Sequence, residues 1–140
     1  LFYMAGNMGG ALSLGLGAAM TGKKVVVCGG DAEFVMHMGG LTTVGRYKDL
    51  DLTYILFDNE QNKSTGGQNT YQSHVDYINI AKSSGFDGVD SVVGSADEFK
   101  ILIKNLDSTN IKGLKFIHVK CGIDDETPRP SIDIIAKNSF

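Results

Sequence analysis

Apolar and polar positions fall into blocks of two kinds along the chain. Short apolar runs rich in β-branched residues occupy Lys24–Cys28, Leu52–Phe57, Val89–Val93 and Leu114–Val119. Unbroken runs of this kind predict strands covered on both faces, hence a parallel sheet. Gly29-Gly30 should stop the first strand. Segments with helical spacing lie between the runs. Met8 to Met20 is small and apolar. Ala32 to Tyr47 carries Phe34, Val35, Met38, Leu41 and Val44 at helical intervals. Val75 to Ser84 carries Ile78, Ile80 and Ala81, and Asp97 to Leu106 carries Phe99, Ile101, Leu102 and Ile103, with Ser95 as its N-cap. Strands alternating with helices predict an α/β domain of three layers, αβα, with a mostly parallel sheet and right-handed crossovers. A single domain over residues 1–140 suits the length.

Sheets of this type bind ligands in the loops at the carboxyl ends of their strands. Two loops follow from that: Gly29-Gly30-Asp31 after the first strand and Asp58-Asn59-Glu60-Gln61 after the second. The stretch from Asn59 to His74 is long, polar and glycine-containing, as lids often are.

Composition narrows the function. The net charge is −3 and the 13 Lys and Arg residues are scattered, so the basic face of a nucleic-acid module is absent. An anion bound here must meet backbone N–H groups or a metal. The two cysteines, Cys28 and Cys121, are too few for a disulfide framework. They read as buried free thiols, which suits the cytoplasm. Leu1 to Gly22 carries no charge, about the length of a membrane span. It is broken by Gly6, Gly9, Gly10, Gly15, Gly17 and Gly22 and lacks a basic leader region, which argues against a membrane role. The chain opens on Leu rather than Met, as a piece cut from something longer, or a processed chain, would.

Several motifs fail on inspection. Gly17-x4-Gly22-Lys23-Lys24 lacks the closing Ser or Thr of a phosphate loop and stands at a helix end, not after a strand. Gly15-Leu16-Gly17 begins a dinucleotide fingerprint, but Met20 replaces the third Gly. The sequon at Asn62-Lys63-Ser64 needs a secretory context. His37, His74 and His118 have no metal-ligand spacing, and the cysteines complete no zinc site. All three histidines read as structural, with His37 placed to approach a ligand.

The constellation that remains is Gly30-Asp31 with Asp58-Asn59. One helix and one strand fit between them, which makes the two loops neighbours at one sheet edge. The Asp31 carboxylate and the Asn59 amide oxygen are hard donors suited to Mg²⁺ or Ca²⁺. Ala32 and Glu33 open the next helix, where backbone N–H groups favour phosphate. Gly6-Asn7-Met8-Gly9 stands upstream. On the plainer alternative, Asp31 is only an N-cap and Asn59 only a turn former.

These residues resemble the cofactor signature of thiamine-diphosphate enzymes, Gly-Asp-Gly followed at a distance by Asn-Asn. Ala32 and Asp58 depart from it. The resemblance implies the thiamine-diphosphate-binding fold, thiamine diphosphate and Mg²⁺ as cofactors, and metal contacts from Asp31, Asn59 and the Gln61 backbone carbonyl. Gly6-Asn7-Met8-Gly9 resembles the family's Gly-Ser-Met-Gly. By that likeness the Gly6 carbonyl accepts from the cofactor's amino group, and Met8 wedges between its two rings. Gly6, Asn7, Met8, Gly30, Asp31, Ala32, Glu33 and Asn59 would then bind cofactor. Within the 2-oxo acid decarboxylases, Phe34–Leu41, Ser64–Thr70, Ile80–Phe86 and Pro128-Arg129-Pro130 resemble those acting on phosphonopyruvate, with the sulfopyruvate enzymes next. Asn62-Lys63 departs from the His-Asp expected of the former. Lys63, Ser64 and Thr65 on the lid would face the substrate anion. The family's activating Glu belongs to a separate pyrimidine-binding domain, and neither Glu33 nor Glu60 matches it. The chain alone should therefore be inactive, and its partners are that domain, a small 2-oxo acid and further copies in a homo-oligomer. The rival is a non-catalytic module that binds a nucleotide or another protein. It would need neither Met8 nor Asn59 facing a common crevice.

Overall fold

The computed structural model describes residues 1–4, 6–88, 92–108 and 112–123. The chain runs α1 (Ala11–Ala19), β1 (Val25–Gly30), α2 (Asp31–Met36), α3 (Gly40–Val44), β2 (Asp51–Asp58), β3 (Gln61–Asn62), a 3₁₀ turn (Lys63–Thr65) and β4 (Gln68–Asn69). It continues through α4 (Tyr77–Ser83), β5 (Asp87–Gly88), α5 (Ala96–Ser108) and β6 (Gly113–Lys120). One sheet has the order β1-β2-β6-β5, every pairing parallel. β3 and β4 form a separate antiparallel pair.

Register decides which side chains share a face. Val27, Tyr54 and Phe116 align across three strands, and alternation puts Leu52, Leu56 and Leu114 on the same side. That side packs against Leu12 of α1, Phe34 of α2, Leu41 and Val44 of α3, and Tyr77 and Ala81 of α4. Phe34 meets the Tyr77 ring edge-on at 5.2 Å, and Tyr54 meets Phe116 likewise at 5.7 Å. The other side presents Ile55, Ile117 and Val119 to Phe99, Leu102, Ile103 and Leu106 of α5. Helices thus cover both faces of a parallel sheet, the three-layer α/β architecture expected. Ser95 caps α5 as expected: its Oγ accepts from the Glu98 N–H at 3.2 Å. The Glu98 carboxylate reaches back to the Gly94 N–H at 2.9 Å.

Several expectations need correction. The helix over Ala32–Tyr47 is two helices, broken at 37–39. His37 leaves helical geometry (φ −137°, ψ 42°) and its Nδ1 lies 3.0 Å from the Gly9 carbonyl oxygen. The first helix starts at Ala11, after the Gly9-Gly10 pair, rather than at Met8. Gly29-Gly30 continue β1 instead of ending it. β1 is covered on one face only: Val26 is 55% exposed, because it lies at the end of the strand order and α5 packs on β2 and β6. Cys28, on that uncovered face, and Cys121, just beyond β6, are exposed rather than buried. The stretch after Asn59 folds into β3, the 3₁₀ turn and β4 instead of an open loop. Of the Val89–Val93 run, residues 89–91 lie outside the described residues, and Val93 bridges Val119. Pro128-Arg129-Pro130 also lies outside them. No helix among the described residues is long and apolar enough to cross a membrane.

Candidate functional site

The carboxyl ends of β1 and β2 lie side by side, with Gly30 opposite Phe57. Asp31 opens α2 directly after β1, and Asn59 follows β2 by one residue. Both line a cleft of about 1200 Å³. Gly6, Asn7, Met8, Gly30, Ala32, Glu33, Gln61, Lys63 and Ser64 line it too. Thr65 does not: its hydroxyl donates to the Gln68 side chain at 2.8 Å, within the hairpin. The structure therefore gathers the expected residues around one space, apart from Thr65.

Asp31 forms the floor. It is 1% exposed, and its Oδ2 accepts from the Thr70 hydroxyl at 2.7 Å. Its Oδ1 has no hydrogen-bond partner among the described residues. A buried carboxylate so weakly compensated is costly unless a cation meets it. Negative charge extends to the rim. The Cys121 thiol is pushed above its usual range by partial desolvation and then by the Asp58 and Asp31 carboxylates.

The turn after β2 is tied back on itself. Asp58 Oδ1 accepts from the Glu60 N–H at 3.2 Å, and Asn59 Oδ1 accepts from the Gln61 N–H at 3.1 Å. The Asn59 oxygen keeps a second lone pair. The hairpin uses the carbonyls of Glu60 and Asn62, which accept from Thr70 and Gly67. Carbonyls alternate along an extended strand, so that of Gln61 faces out of the hairpin.

Two supports went unread in the sequence. Thr70 lies in the lid stretch, and no spacing ties a hydroxyl there to Asp31. Tyr54, one strand away, donates to Glu33 Oε2 at 2.8 Å and turns that carboxylate toward the sheet. Burial and then the Glu33 charge raise the Tyr54 hydroxyl well above its ordinary value. Across the cleft, Gly6 and Gly9 take positive φ (75° and 92°), and Met8 Sδ lies 3.6 Å from the Ser64 hydroxyl. His37 holds Gly9 from below and is not a lining residue.

Residues 2–119 match the model of the thiamine pyrophosphate enzyme C-terminal TPP binding domain. The chain belongs to that family. Among its relatives, a phosphonopyruvate decarboxylase of Streptomyces viridochromogenes is 35% identical over 94% of this chain and 33% of its own length. The sulfopyruvate decarboxylase subunit beta of Methanothermobacter thermautotrophicus is 41% identical over 69% of this chain and 51% of its own length. The chain thus spans a third to a half of these relatives. The solved 4-hydroxybenzoylformate decarboxylase of Rhodococcus jostii superposes with a TM-score of 0.66 at 18% identity, covering 84% of this chain and 24% of that one. That likeness confirms the fold of a TPP-binding domain.

Proposed function

We propose that this TPP-binding domain is the cofactor module of a decarboxylase converting phosphonopyruvate to phosphonoacetaldehyde and CO₂. The observation that carries the reading is the convergence of Asp31, Asn59 and Met8 on one cleft whose buried carboxylate has, among the described residues, no partner at Oδ1. In this reading the Asp31 and Asn59 side chains and the Gln61 carbonyl hold Mg²⁺, an all-oxygen set of the kind that ion takes. Backbone N–H groups at Gly30, Ala32 and Glu33 meet the diphosphate, while the Glu33 carboxylate is held by the Tyr54 hydroxyl. Gly6, Asn7 and Met8 hold the ring end. Bound thiamine diphosphate supplies the electron sink that lets CO₂ depart. Lys63 and Ser64, at the cleft, offer a cation and a hydroxyl to the phosphonate. A sulfonate suits the same pair, and the 41% identity to a sulfopyruvate decarboxylase subunit keeps that substrate as the second reading.

The activating Glu comes from a pyrimidine-binding domain of the same or a partner chain. Glu33 is bonded to Tyr54, and Glu60 is exposed and does not line the cleft. The chain by itself is inactive, and a cytoplasmic homo-oligomer is the setting we propose.

Calorimetric titration of thiamine diphosphate tests this. Binding should require Mg²⁺, vanish with EDTA and vanish in Asp31→Ala. Binding indifferent to metal or to Asp31 overturns the site. If the chain alone does not bind, the same titration with the pyrimidine-binding domain added decides; failure there too overturns the reading. Turnover of phosphonopyruvate against sulfopyruvate by that assembly then names the substrate.

A further inference from the structure

We infer, on the cofactor reading above, that His118 is a positioning residue for the turn that carries Asn59, acting through Asp58. His118 lies on β6 and Asp58 ends β2; they are 5% and 6% exposed. Their Nε2 and Oδ2 atoms are 2.8 Å apart. The Tyr77 ring fixes the imidazole edge-on, with centroids 5.0 Å apart. The other carboxylate oxygen, Asp58 Oδ1, holds the Glu60 N–H.

The turn needs that hold. Glu60 sits at φ 55°, a region that side-chain-bearing residues rarely adopt. Such geometry persists only where its surroundings enforce it. Two side chains in a row supply the enforcement, Asp58 on Glu60 N–H and Asn59 on Gln61 N–H. A carboxylate's terminal torsion is broad by itself. Oδ1 therefore stays aimed at Glu60 only while Oδ2 is anchored, and the anchor is His118. From Glu60 the connection continues: its carbonyl accepts from Thr70 N–H at 3.0 Å, and the Thr70 hydroxyl reaches Asp31 at 2.7 Å. Hydrogen bonds thus lead from His118 through Asp58, Glu60 and Thr70 to Asp31, and the turn they hold is the one that carries Asn59.

The test uses the full-length protein with four variants: His118→Phe, His118→Gln, Asp58→Asn, and His118→Phe with Asp58→Asn. Phe keeps the ring against Tyr77 but cannot donate, whereas the Gln amide can reach where Nε2 stands. Hydrogen–deuterium exchange of the segment holding Glu60 and Gln61, without cofactor, reads the turn directly. Titration of thiamine diphosphate with Mg²⁺ reads the consequence. His118→Phe should speed exchange there and weaken binding by about tenfold or more, the usual scale for removing a group behind a metal ligand. His118→Gln should restore both. If His118→Phe fails to fold because the Asp58 carboxylate has lost its partner, the double variant replaces that carboxylate and should fold with the turn still fast-exchanging. In Asp58→Asn alone the imidazole's other tautomer accepts from the amide N–H, the amide oxygen keeps the Glu60 N–H, and exchange stays slow. Unchanged exchange and affinity in the Phe variants, or no recovery with Gln, overturns the role of His118. Absence of thiamine diphosphate binding in the unmutated protein overturns the cofactor reading instead, and the exchange measurements still decide the positioning.

Discussion

β1 and β2 are hydrogen-bonded neighbours in register from Val25 beside Leu52 to Gly30 beside Phe57, and they are built for different work. β2 is buried from Leu52 to Leu56 and ends in Asp58, pinned by His118. β1 has Val26 and Cys28 exposed and ends in two glycines along the cleft. The central strand carries the packing and a rigid turn. The outer strand carries access, with little side-chain bulk where the cleft opens.

The sharpest way to break this contrast is to truncate one residue in each strand. Leu56 is fully buried, and replacing it with Ala should cost about 2–5 kcal/mol. Val26→Ala, at 55% exposure, should stay within about 0.5 kcal/mol. Urea denaturation of both variants measures the difference. Equal losses would mean that another surface covers β1 in solution.

How far the sequence discloses this follows from the same contrast. Leu52–Phe57 and Leu114–Val119 announce themselves because a strand buried on both faces is apolar at most positions, with Thr53, Lys115 and His118 as the exceptions. The run at Val25–Cys28 looks the same in one dimension, yet its outer face is bare. Periodicity reports what a residue could bury, not what comes to cover it. The helix over 32–47 misled for a related reason: Phe34, Leu41 and Val44 keep helical spacing across a break that Gly39-Gly40 and the His37–Gly9 contact impose. Asp31 and Asn59 were legible since their loops had to meet once β1 and β2 paired. Thr70, Tyr54 and His118 were not, because each reaches its partner across a distance in sequence that only the fold closes.

A finer test lies within the outer strand. Gly29 and Gly30 are adjacent, and a Cβ would fare differently at each. At Gly29 it would stand 2.2 Å from Glu33 Oε2 and 2.5 Å from the Tyr54 hydroxyl oxygen. At Gly30 the nearest atom is the Phe57 carbonyl oxygen at 3.9 Å, and φ −98°, ψ 166° accepts any residue. Gly29→Ala should therefore cost about 1–3 kcal/mol, the usual range for overpacking. Gly30→Ala should leave stability nearly unchanged. Thermal melts of the pair check this, and equal melting temperatures would show that the Tyr54–Glu33 contact yields without loss.

That contact sets the smallest effect, and pH separates its parts. The Tyr54 hydroxyl, 2% exposed as a residue, is held well above its ordinary value of 10.0, first by burial and then by the Glu33 charge. A raised value favours the protonated phenol in the folded state. Its contribution is thus complete below pH 10 and is lost as pH climbs past it, where the unfolded chain releases a proton that the fold retains. Tyr54→Phe removes both the hydrogen bond and the titration. At neutral pH the variant should be less stable by about 1 kcal/mol, the typical net worth of one hydrogen bond. Above pH 10 the deficit should shrink and then reverse, since only the unmutated protein still has the Tyr54 phenol to ionise on unfolding, whereas the remaining tyrosines are common to both. Urea midpoints of the two proteins across that range carry the test. A deficit that stays constant with pH would mean that Tyr54 reaches solvent and that Glu33 is free to swing toward the cleft.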